Sequence, residues 1–256
     1  MEIDFFYDNG LISFFREPTD KTKVYSSTQS LALRQVPIYF PDAILFNKLK
    51  SFHSIDGSIT APQGFLAAGL FCDVKSIGTG KGSNKGQKRD LAVIVSEVPA
   101  TAAGMFTSNH ICAARVKVCV NHIANGKAQA VVISSGNANA CTGPRGLKDA
   151  REMTALMAEE LLLQPEDVLV GSTGRIGLQL PMPNIRKGIG QIVKELDDSP
   201  NAAHHAAEAI MTSDTQPKEI AVEFKLDQQT VRLGGIAKGA GMIQPGMSPT
   251  GTRPAS

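Results

Sequence analysis

Three clusters of small hydroxyl, amide and glycine residues are the parts of this sequence in which chemistry could occur. They read SGNANACTG at residues 135–143, STG at 172–174 and TSDT at 212–215. Hydroxyl and backbone amide groups donate hydrogen bonds, so such clusters suit the binding of fixed or developing negative charge. We recognise in none of them the nucleophile, base and orienting group of a serine or cysteine triad. The residues alone therefore predict an oxyanion-binding crevice.

A fourth segment with binding potential is the glycine-rich stretch AKGAGMIQPGM at residues 237–247. Gly239 and Gly241 would let backbone amides approach a ligand closely, and Lys238 places a cation beside them. The same composition is also typical of a glycine-rich turn with one solvated lysine. Composition alone leaves both interpretations open.

Cysteine and histidine spacing argues against a metal site. The four cysteines contain no CxxC pair: Cys72, Cys112, Cys119 and Cys141. This spacing predicts reduced thiols rather than zinc ligands or a disulfide framework. Cys141 could be a nucleophile or an ordinary core or loop thiol. His204 and His205 are adjacent, so on a helix they project about 100° apart and cannot chelate one metal; we interpret them as surface residues.

Basic residues cluster around a glycine- and serine-rich loop: Lys75, Lys81, Lys85, Lys88 and Arg89. No aromatic residue is interleaved with them, and the net charge of the chain is only +2. We therefore interpret this cluster as a mobile, solvated loop rather than a nucleic-acid site. Gly82 follows Gly80-Lys81 where a Walker loop would have serine or threonine, which argues against nucleotide binding.

Hydrophobic periodicity predicts the elements that position these clusters. Strands are predicted at residues 91–96, 114–120 and 129–135, with another entering the core after residue 55 and a hairpin at 219–235. Helices are predicted at residues 148–163, 184–196 and 201–211. Strand, glycine-containing loop and helix follow one another, so we expect an α/β (α+β layered) fold.

Length and composition set the remaining bounds. A chain of 256 residues can bury a large core. Its first residues, MEIDFFYDNG, carry acids where a secretory signal would carry bases, and no run of eighteen apolar residues occurs. We therefore expect a cytoplasmic protein that binds neither nucleic acid nor membrane.

Six stretches, in order along the chain, resemble one known family. They are ITAPQGFLAAG, DLAVIVSEVPATAAGMFTSN, VVISSGNANACTG, GSTGRIG, AIMTSDTQPK and GGIAKGAGMIQPGM. Together they are similar to the α-chain half of the bifunctional ornithine acetyltransferase/N-acetylglutamate synthase (ArgJ) family of arginine biosynthesis. The resemblance implies an ArgJ/DmpA-like fold of sheets covered by helices, with only the α-chain half present. It divides the chain into a divergent extension at 1–52, the α-chain domain at 53–247 and a divergent tail at 248–256.

The extension carries no family motif, and its sequence leaves two interpretations open. It could be poorly ordered, or it could be a peripheral element laid on the main body. The α-chain domain contains every motif quoted above.

The family's chemistry is acetyl transfer through a covalent acyl-enzyme. A precursor cuts itself before a threonine, and that threonine, now the amino terminus of a β chain, takes acetyl from N-acetylornithine and passes it to glutamate. Its α-amine, with a reference pKa of about 7.7–8.0, suits the role of general base. Acetyl-CoA is a further donor in bifunctional members, no bound cofactor is implied, and αβ pairs form a heterotetramer.

Four residues of this sequence match functional positions of the family. Thr142 and Gly143 correspond to the pair that forms the oxyanion hole. Thr212 and Lys238 correspond to substrate-binding positions, where the lysine would suit a substrate carboxylate.

The sequence departs from the family at the nucleophile. Where the family reads Pro-Asn-Met-Ala-Thr, residues 245–249 read PGMSP, so Pro249 occupies the place of the threonine. Proline has no hydroxyl to acylate. We therefore expect a truncated, foreign tail and no acetyl transfer by this chain alone. A non-catalytic domain that binds acylated amino acids, a fragment that pairs with a separate β chain, and a related amide hydrolase are the alternatives.

Overall fold

The computed structural model describes residues 11–16, 52–75, 88–226, 228–239 and 246–252. Within them the strands are β1 Leu11–Arg16, β2 Phe52–Ser54, β3 Phe65–Leu70, β4 Leu91–Thr101, β5 Phe106–Thr107, β6 Lys127–Asn137, β7 Val168–Arg175, β8 Lys218–Leu226, β9 Gln229–Ala237 and β10 Met247–Ser248. The helices are α1 Ala114–His122, α2 Gly143–Leu161, α3 Met182–Ile192 and α4 Pro200–Ile210. The predicted mixture of helices and sheets is confirmed.

The central sheet has the strand order β3-β4-β6-β7. Its first two pairings are antiparallel, and β6 pairs with β7 in parallel. A parallel pair needs a crossover connection, which helix α2 supplies. The strands predicted at residues 91–96 and 129–135 are confirmed as β4 and β6, and β6 runs through Asn137.

Helices cover this sheet with the faces that their sequence period predicts. In α2 the residues Ala150, Met153 and Met157 are completely buried. Helix α3 buries Ile185 and Ile189 in the same core, and α4 buries a row of alanines. All three predicted helices are confirmed, although α2 begins five residues earlier than predicted.

A second sheet has the order β1-β9-β8-β2. The predicted hairpin is its centre, since β8 and β9 pair antiparallel from Lys218 opposite Ala237 to Leu226 opposite Gln229. Strand β1, from the divergent extension, pairs along β9, so this part of the extension belongs to the sheet. The rest of residues 1–51 lies outside the described residues.

The prediction of a strand at residues 114–120 is wrong, because this segment is helix α1. The alternation of valines suggested a strand, yet the residues that become buried are Ala114, Val118 and Cys119, at helical spacing. The helix covers the free edge of β7: the Cys119 thiol donates to Val170 O (3.2 Å) and accepts from Val170 N (3.4 Å). Covering an edge in this way prevents strand addition.

The interpretation of the basic cluster as a solvated loop is wrong for two of its members. Lys75 is buried, and its Nζ donates to the carbonyl of Arg89 at 2.5 Å. Arg89 Nη1 lies 2.7 Å from Glu208 Oε2 on α4. The buried Asp90 organises this corner by accepting hydrogen bonds from three backbone amides of residues 72–75. Lys81 and Lys85 lie outside the described residues.

The adjacent histidines lie on α4 and are half-buried. His204 Nδ1 is 2.6 Å from Glu219 Oε1, and its Nε2 is 3.7 Å from Glu208 Oε1, so this side chain ties the helix to β8. Burial, with help from the nearby Arg89, lowers the pKa of His205. In the part of the chain that the structure describes, no helix is long and apolar enough to cross a membrane.

Candidate active site

The loop between β6 and α2, residues 138–142, is held by its own side chains. Asn139 donates from Nδ2 to Gly146 O (2.8 Å) and accepts from the Thr142 hydroxyl at Oδ1 (2.7 Å). Gln179 Nε2 donates to the Thr142 carbonyl at 3.2 Å. Asn139 is fully buried, so these bonds act in a medium where they are strong. The loop is therefore preorganised.

The backbone at the end of this loop alternates in the sign of φ. Cys141 has φ 56°, Thr142 has φ −107° and Gly143 has φ 64°. Such alternation turns successive N–H groups to one side and forms an anion-binding concavity. Among the described residues none accepts a hydrogen bond from the amides of these three residues. The exposed Cys141 is thus a loop residue.

Two helix amino termini strengthen the positive potential of this loop. Helix α2 begins at its end, and at the start of α1 Ala114 N donates to Asn139 O at 3.3 Å. Arg115 Nη1 also donates to Ala138 O at 2.9 Å. Neither helix has an acidic residue in its first turn. The partial positive charges of both helices therefore remain available to an anion.

The second predicted pair, Thr212 and Lys238, is brought together by a residue that sequence reasoning did not single out. Asp214 Oδ2 accepts from Thr212 N (3.1 Å), and its Oδ1 accepts from Gly239 N (2.6 Å) and from Lys218 Nζ (2.6 Å). Lys238 Nζ donates to the adjacent Gly239 carbonyl at 2.9 Å. One carboxylate thus connects two segments that are distant in sequence.

The loop with Thr142 and the segment with Thr212 begin close together, because β6 and α4, which precede them, are in contact near their ends. The Ser135 hydroxyl, near the end of β6, donates to Ala209 O near the end of α4. The loop with Thr142 starts three residues after Ser135, and Thr212 follows Ala209 by three residues. No hydrogen bond or ion pair within the described residues joins Thr142 or Gly143 directly to Thr212 or Lys238. Gly241 lies outside the described residues.

The third cluster, residues 172–174, is part of strand β7. The buried Ser172 hydroxyl accepts from Ser134 at 3.1 Å inside the sheet. Gly174 has φ 128° and lies against the Gly136 backbone, leaving no room for a side chain. The interpretation of this cluster as part of a binding crevice is therefore wrong for Ser172, and its glycine serves close strand packing.

Pro249 lies in an ordered turn. Strand β10 pairs with β5, and Gly251 N donates to Ser248 O at 3.2 Å, which closes a Ser-Pro-Thr-Gly turn. Proline at the second position is favoured in such turns. Thr250, the neighbouring hydroxyl, is exposed and shares a hydrogen bond of 2.6 Å with Thr252. Pro249 is thus held in a turn and carries no hydroxyl.

Two site residues were missed, for different reasons. Asn139 lies in the predicted cluster, and its spacing of three from Thr142 is a signal that could have indicated a side-chain bond. Asp214 lies in TSDT, but its partners at residues 218 and 239 depend on the tertiary fold. A separate cleft of about 370 Å³, lined by Asp56, Asp198 and others, contains none of the predicted site residues.

Fold and site define a layered α+β protein with a strand-to-helix loop whose backbone amides at Cys141, Thr142 and Gly143 have no acceptor among the described residues. The chain belongs to the ArgJ family, whose model matches residues 75–251. It is 46% identical over 192 residues to the arginine biosynthesis bifunctional protein ArgJ of Symbiobacterium thermophilum, a match that covers 75% of this chain and 46% of the relative. The corresponding protein of Shouchella clausii is 46% identical over 201 residues, covering 78% and 46%. The chain therefore spans about half the length of these curated relatives.

Solved structures agree with this assignment. The crystal structure of arginine biosynthesis bifunctional protein ArgJ from Bacillus halodurans matches with a TM-score of 0.69 and 40% identity, covering 78% of this chain and 100% of that one. Ornithine acetyltransferase of Mycobacterium tuberculosis, solved in complex with ornithine, matches with a TM-score of 0.68 and 34% identity, covering 77% and 100%. The family resemblance and the fold class predicted from the sequence are both confirmed.

Proposed function

We propose that this chain is the oxyanion- and substrate-binding half of a cytoplasmic glutamate N-acetyltransferase that takes acetyl from N-acetylornithine. The observation that carries the proposal is the preorganised loop at the start of α2, in which the amides of Cys141, Thr142 and Gly143 have no acceptor within the part of the chain that the structure describes. The printed names of the relatives, which concern arginine biosynthesis and ornithine acetyltransfer, support the same reaction.

In this reaction a threonine hydroxyl attacks the acetyl carbonyl of N-acetylornithine. The carbonyl oxygen becomes an oxyanion, to which Thr142 and Gly143 donate from the loop. The C–N bond then breaks, ornithine leaves with a proton on its amine, and the acetyl group remains on the threonine. The α-amine of glutamate attacks that ester, giving N-acetylglutamate and the free hydroxyl. Losing one oxyanion donor typically costs about 10²–10³ in rate.

Thr212 and Lys238 are proposed to bind the amino-acid part of the substrate. The ammonium of Lys238 suits a carboxylate, which both N-acetylornithine and glutamate carry. Its Nζ is held by the Gly239 carbonyl, so its position is defined before the substrate arrives. Acetyl-CoA as a second donor would use the same oxyanion loop.

The nucleophile is proposed to come from a β chain that begins with threonine, in αβ pairs that form a heterotetramer. Pro249 cannot supply it, because proline has no hydroxyl, and the family match through residue 251 includes this position. We expect no self-cleavage before Pro249 and no acetyl transfer by the chain alone.

The test is complementation with a β chain. The purified chain is assayed for transfer from N-acetylornithine to glutamate, alone and after co-expression with the threonine-initiated half of the Symbiobacterium relative. We expect transfer only from the pair, and a loss of about 100-fold or more on Gly143→Pro, which removes one amide donor and cannot adopt the positive φ of Gly143. Robust turnover by the chain alone, or an active pair that Gly143→Pro does not affect, would refute the assignment.

A non-catalytic domain that binds acylated amino acids is the second candidate. It is favoured by the turn that holds Pro249, a residue without a hydroxyl group. Isothermal titration of the chain with N-acetylornithine separates the two: binding without any activity in the complemented pair supports the second candidate.

A further inference from the structure

Asp214 contacts both segments that are proposed to bind substrate. Its two carboxylate oxygens accept hydrogen bonds from Thr212 N at 3.1 Å and from Gly239 N at 2.6 Å. Gly239 follows Lys238 directly and accepts from its ammonium. A single side chain therefore lies between two substrate-binding residues that are 26 positions apart in the sequence.

The environment of this carboxylate is that of a buried, permanently charged group. Its side chain is only 1% exposed, and Lys218 Nζ lies 2.6 Å from Oδ1. Burial alone would raise the pKa of Asp214, but the hydrogen bonds from Lys218, Thr212 and Gly239 lower it to about 2. Charge-assisted bonds of this kind are roughly twice as strong as neutral ones.

The fit around the carboxylate is tight on the side of Lys238. A Cβ atom on Gly239 would lie 2.5 Å from Asp214 Oδ1, closer than real Cβ contacts allow. The pairing of Lys218 with Ala237 places the same carboxylate at the open end of the β8–β9 hairpin. Asp214 therefore holds Lys238 in place in two ways. Its bond to Lys218 fixes the end of the hairpin, and its bond to the Gly239 amide fixes the residue that follows Lys238.

We propose that Asp214 is a positioning residue that sets the separation of Thr212 and Lys238, so that both can contact one amino-acid substrate. This inference rests on the proposed function of those two residues. Asp214 itself does not touch the substrate: its oxygens already accept three hydrogen bonds, which leaves it the role of holding the groups that do.

The test is a double-mutant cycle on substrate binding, with N-acetylornithine as the titrant. Asp214→Asn keeps the size of the side chain but turns one acceptor into a donor that faces Lys218 or a backbone N–H. We expect it to weaken binding by about 10- to 100-fold. In the background of Lys238→Ala the same substitution should have a smaller effect, because only Thr212 is then left to be positioned. Equal losses in both backgrounds would show a merely structural role and would overturn the inference.

A second readout does not depend on ligand binding. In Asp214→Asn, amide hydrogen exchange should accelerate by at least about 10-fold at Thr212 or at Gly239, since the NH2 group takes the place of one of the two oxygens that accept from these amides. Unchanged exchange at both amides would overturn the inference. Lys218→Met keeps the bonds from Thr212 N and Gly239 N to Asp214, so it should change the exchange of these two amides less. This second variant can be measured even if Asp214→Asn does not fold. Glu152→Gln, which breaks the ion pair with Arg186 on distant helices, is the matched control and should change neither readout.

Failure of the proposed function gives a different result. If the original chain binds no N-acetylornithine and the complemented pair is inactive, the substrate assignment falls. The exchange experiment then still decides whether Asp214 fixes the two segments.

Discussion

Replacing Gly146 by alanine should damage the oxyanion loop without removing any proposed donor group. Gly146 lies in the first turn of α2, directly beneath the bond between Thr142 and Asn139. A Cβ atom there would lie 2.6 Å from Thr142 Cβ and closer still to Thr142 Oγ1 and Asn139 Oδ1. Real Cβ contacts stay beyond 3.0 Å, so the threonine must retreat by at least 0.4 Å and its hydroxyl by more.

The cost of this movement has two parts. Overpacking of this kind lowers the free energy of unfolding by about 1–3 kcal/mol. The higher helix propensity of alanine than of glycine offsets up to about 1 kcal/mol of this loss. A misplacement of about 1 Å in a catalytic group can lower the rate about 10²-fold. We therefore expect Gly146→Ala to lose about 1–2 kcal/mol in urea unfolding and about 10- to 100-fold in acetyl transfer by the complemented pair.

Gly190→Ala is the matched control for this prediction. Gly190 is also helical, in α3, and the nearest atom to an added Cβ is Glu160 Oε1 at 3.4 Å. The control should therefore stabilise the chain by up to about 1 kcal/mol and leave transfer unchanged. Equal unfolding free energies and equal rates for the two variants would refute the claim that Gly146 supports the loop.

Four further outcomes are expected. The pKa of Asp214 is lowered from 3.8 to about 2, and this shift contributes about 2 kcal/mol of stability, which is complete above about pH 4 and is lost as the pH falls through 2. Urea unfolding measured between pH 2 and 6 should show this loss of stability in acid, and Asp214→Asn should not show it. Burial raises the pKa of Asp149, whose Oδ2 has no hydrogen-bond partner among the described residues, so the stability of the chain should rise as this carboxylate takes up a proton. At pH 7 we expect Asp149→Asn to be at least as stable as the original chain in urea unfolding. Cys119→Ala should cost about 2–3 kcal/mol in urea unfolding, because it leaves a cavity and removes both bonds to Val170 at the edge of β7. Burial also raises the pKa of the Cys119 thiol to about 11, so iodoacetamide at pH 8 should label the exposed Cys141 first; faster labelling of Cys119 would contradict its placement.

The elements that the sequence predicted well are those whose burial follows from local periodicity. The β4 and β6 strands are continuous apolar runs, and α2 repeats Ala150, Met153 and Met157 on one face. Helix α1 was mistaken for a strand because its valines alternate, and the choice between the two structures depends on contacts with β7 that lie about 50 residues away. Local pattern cannot decide between two periods when the segment is this short.

The site residues also divide into those that a local sequence pattern indicates and those that depend on the tertiary fold. The loop with Thr142 could be predicted because glycine, asparagine and threonine between a strand and a helix are typical of an amide-lined turn. The role of Asp214 could not, because its bonds reach Lys218 and Gly239 through the hairpin. Lys75 and Arg89 were predicted to be solvated, because the sequence does not reveal that the buried Asp90 accepts hydrogen bonds from neighbouring backbone amides.

Helix α1 also connects the amide loop to the turn that holds Pro249. Its first residue, Ala114, bonds to the loop, while Val120 lies beside Gly251 of the turn. Six residues of helix place these two contacts about 9 Å apart along the axis of α1, whereas a hydroxyl must come within about 3–3.5 Å of the carbonyl that it attacks. An axial offset of this size corresponds to about three extended residues, so we expect that a nucleophile at this position has to come free of its turn. Cleavage of the peptide bond before it would give that freedom, and for this reason a bare Pro249→Thr substitution should not be enough to start the chemistry.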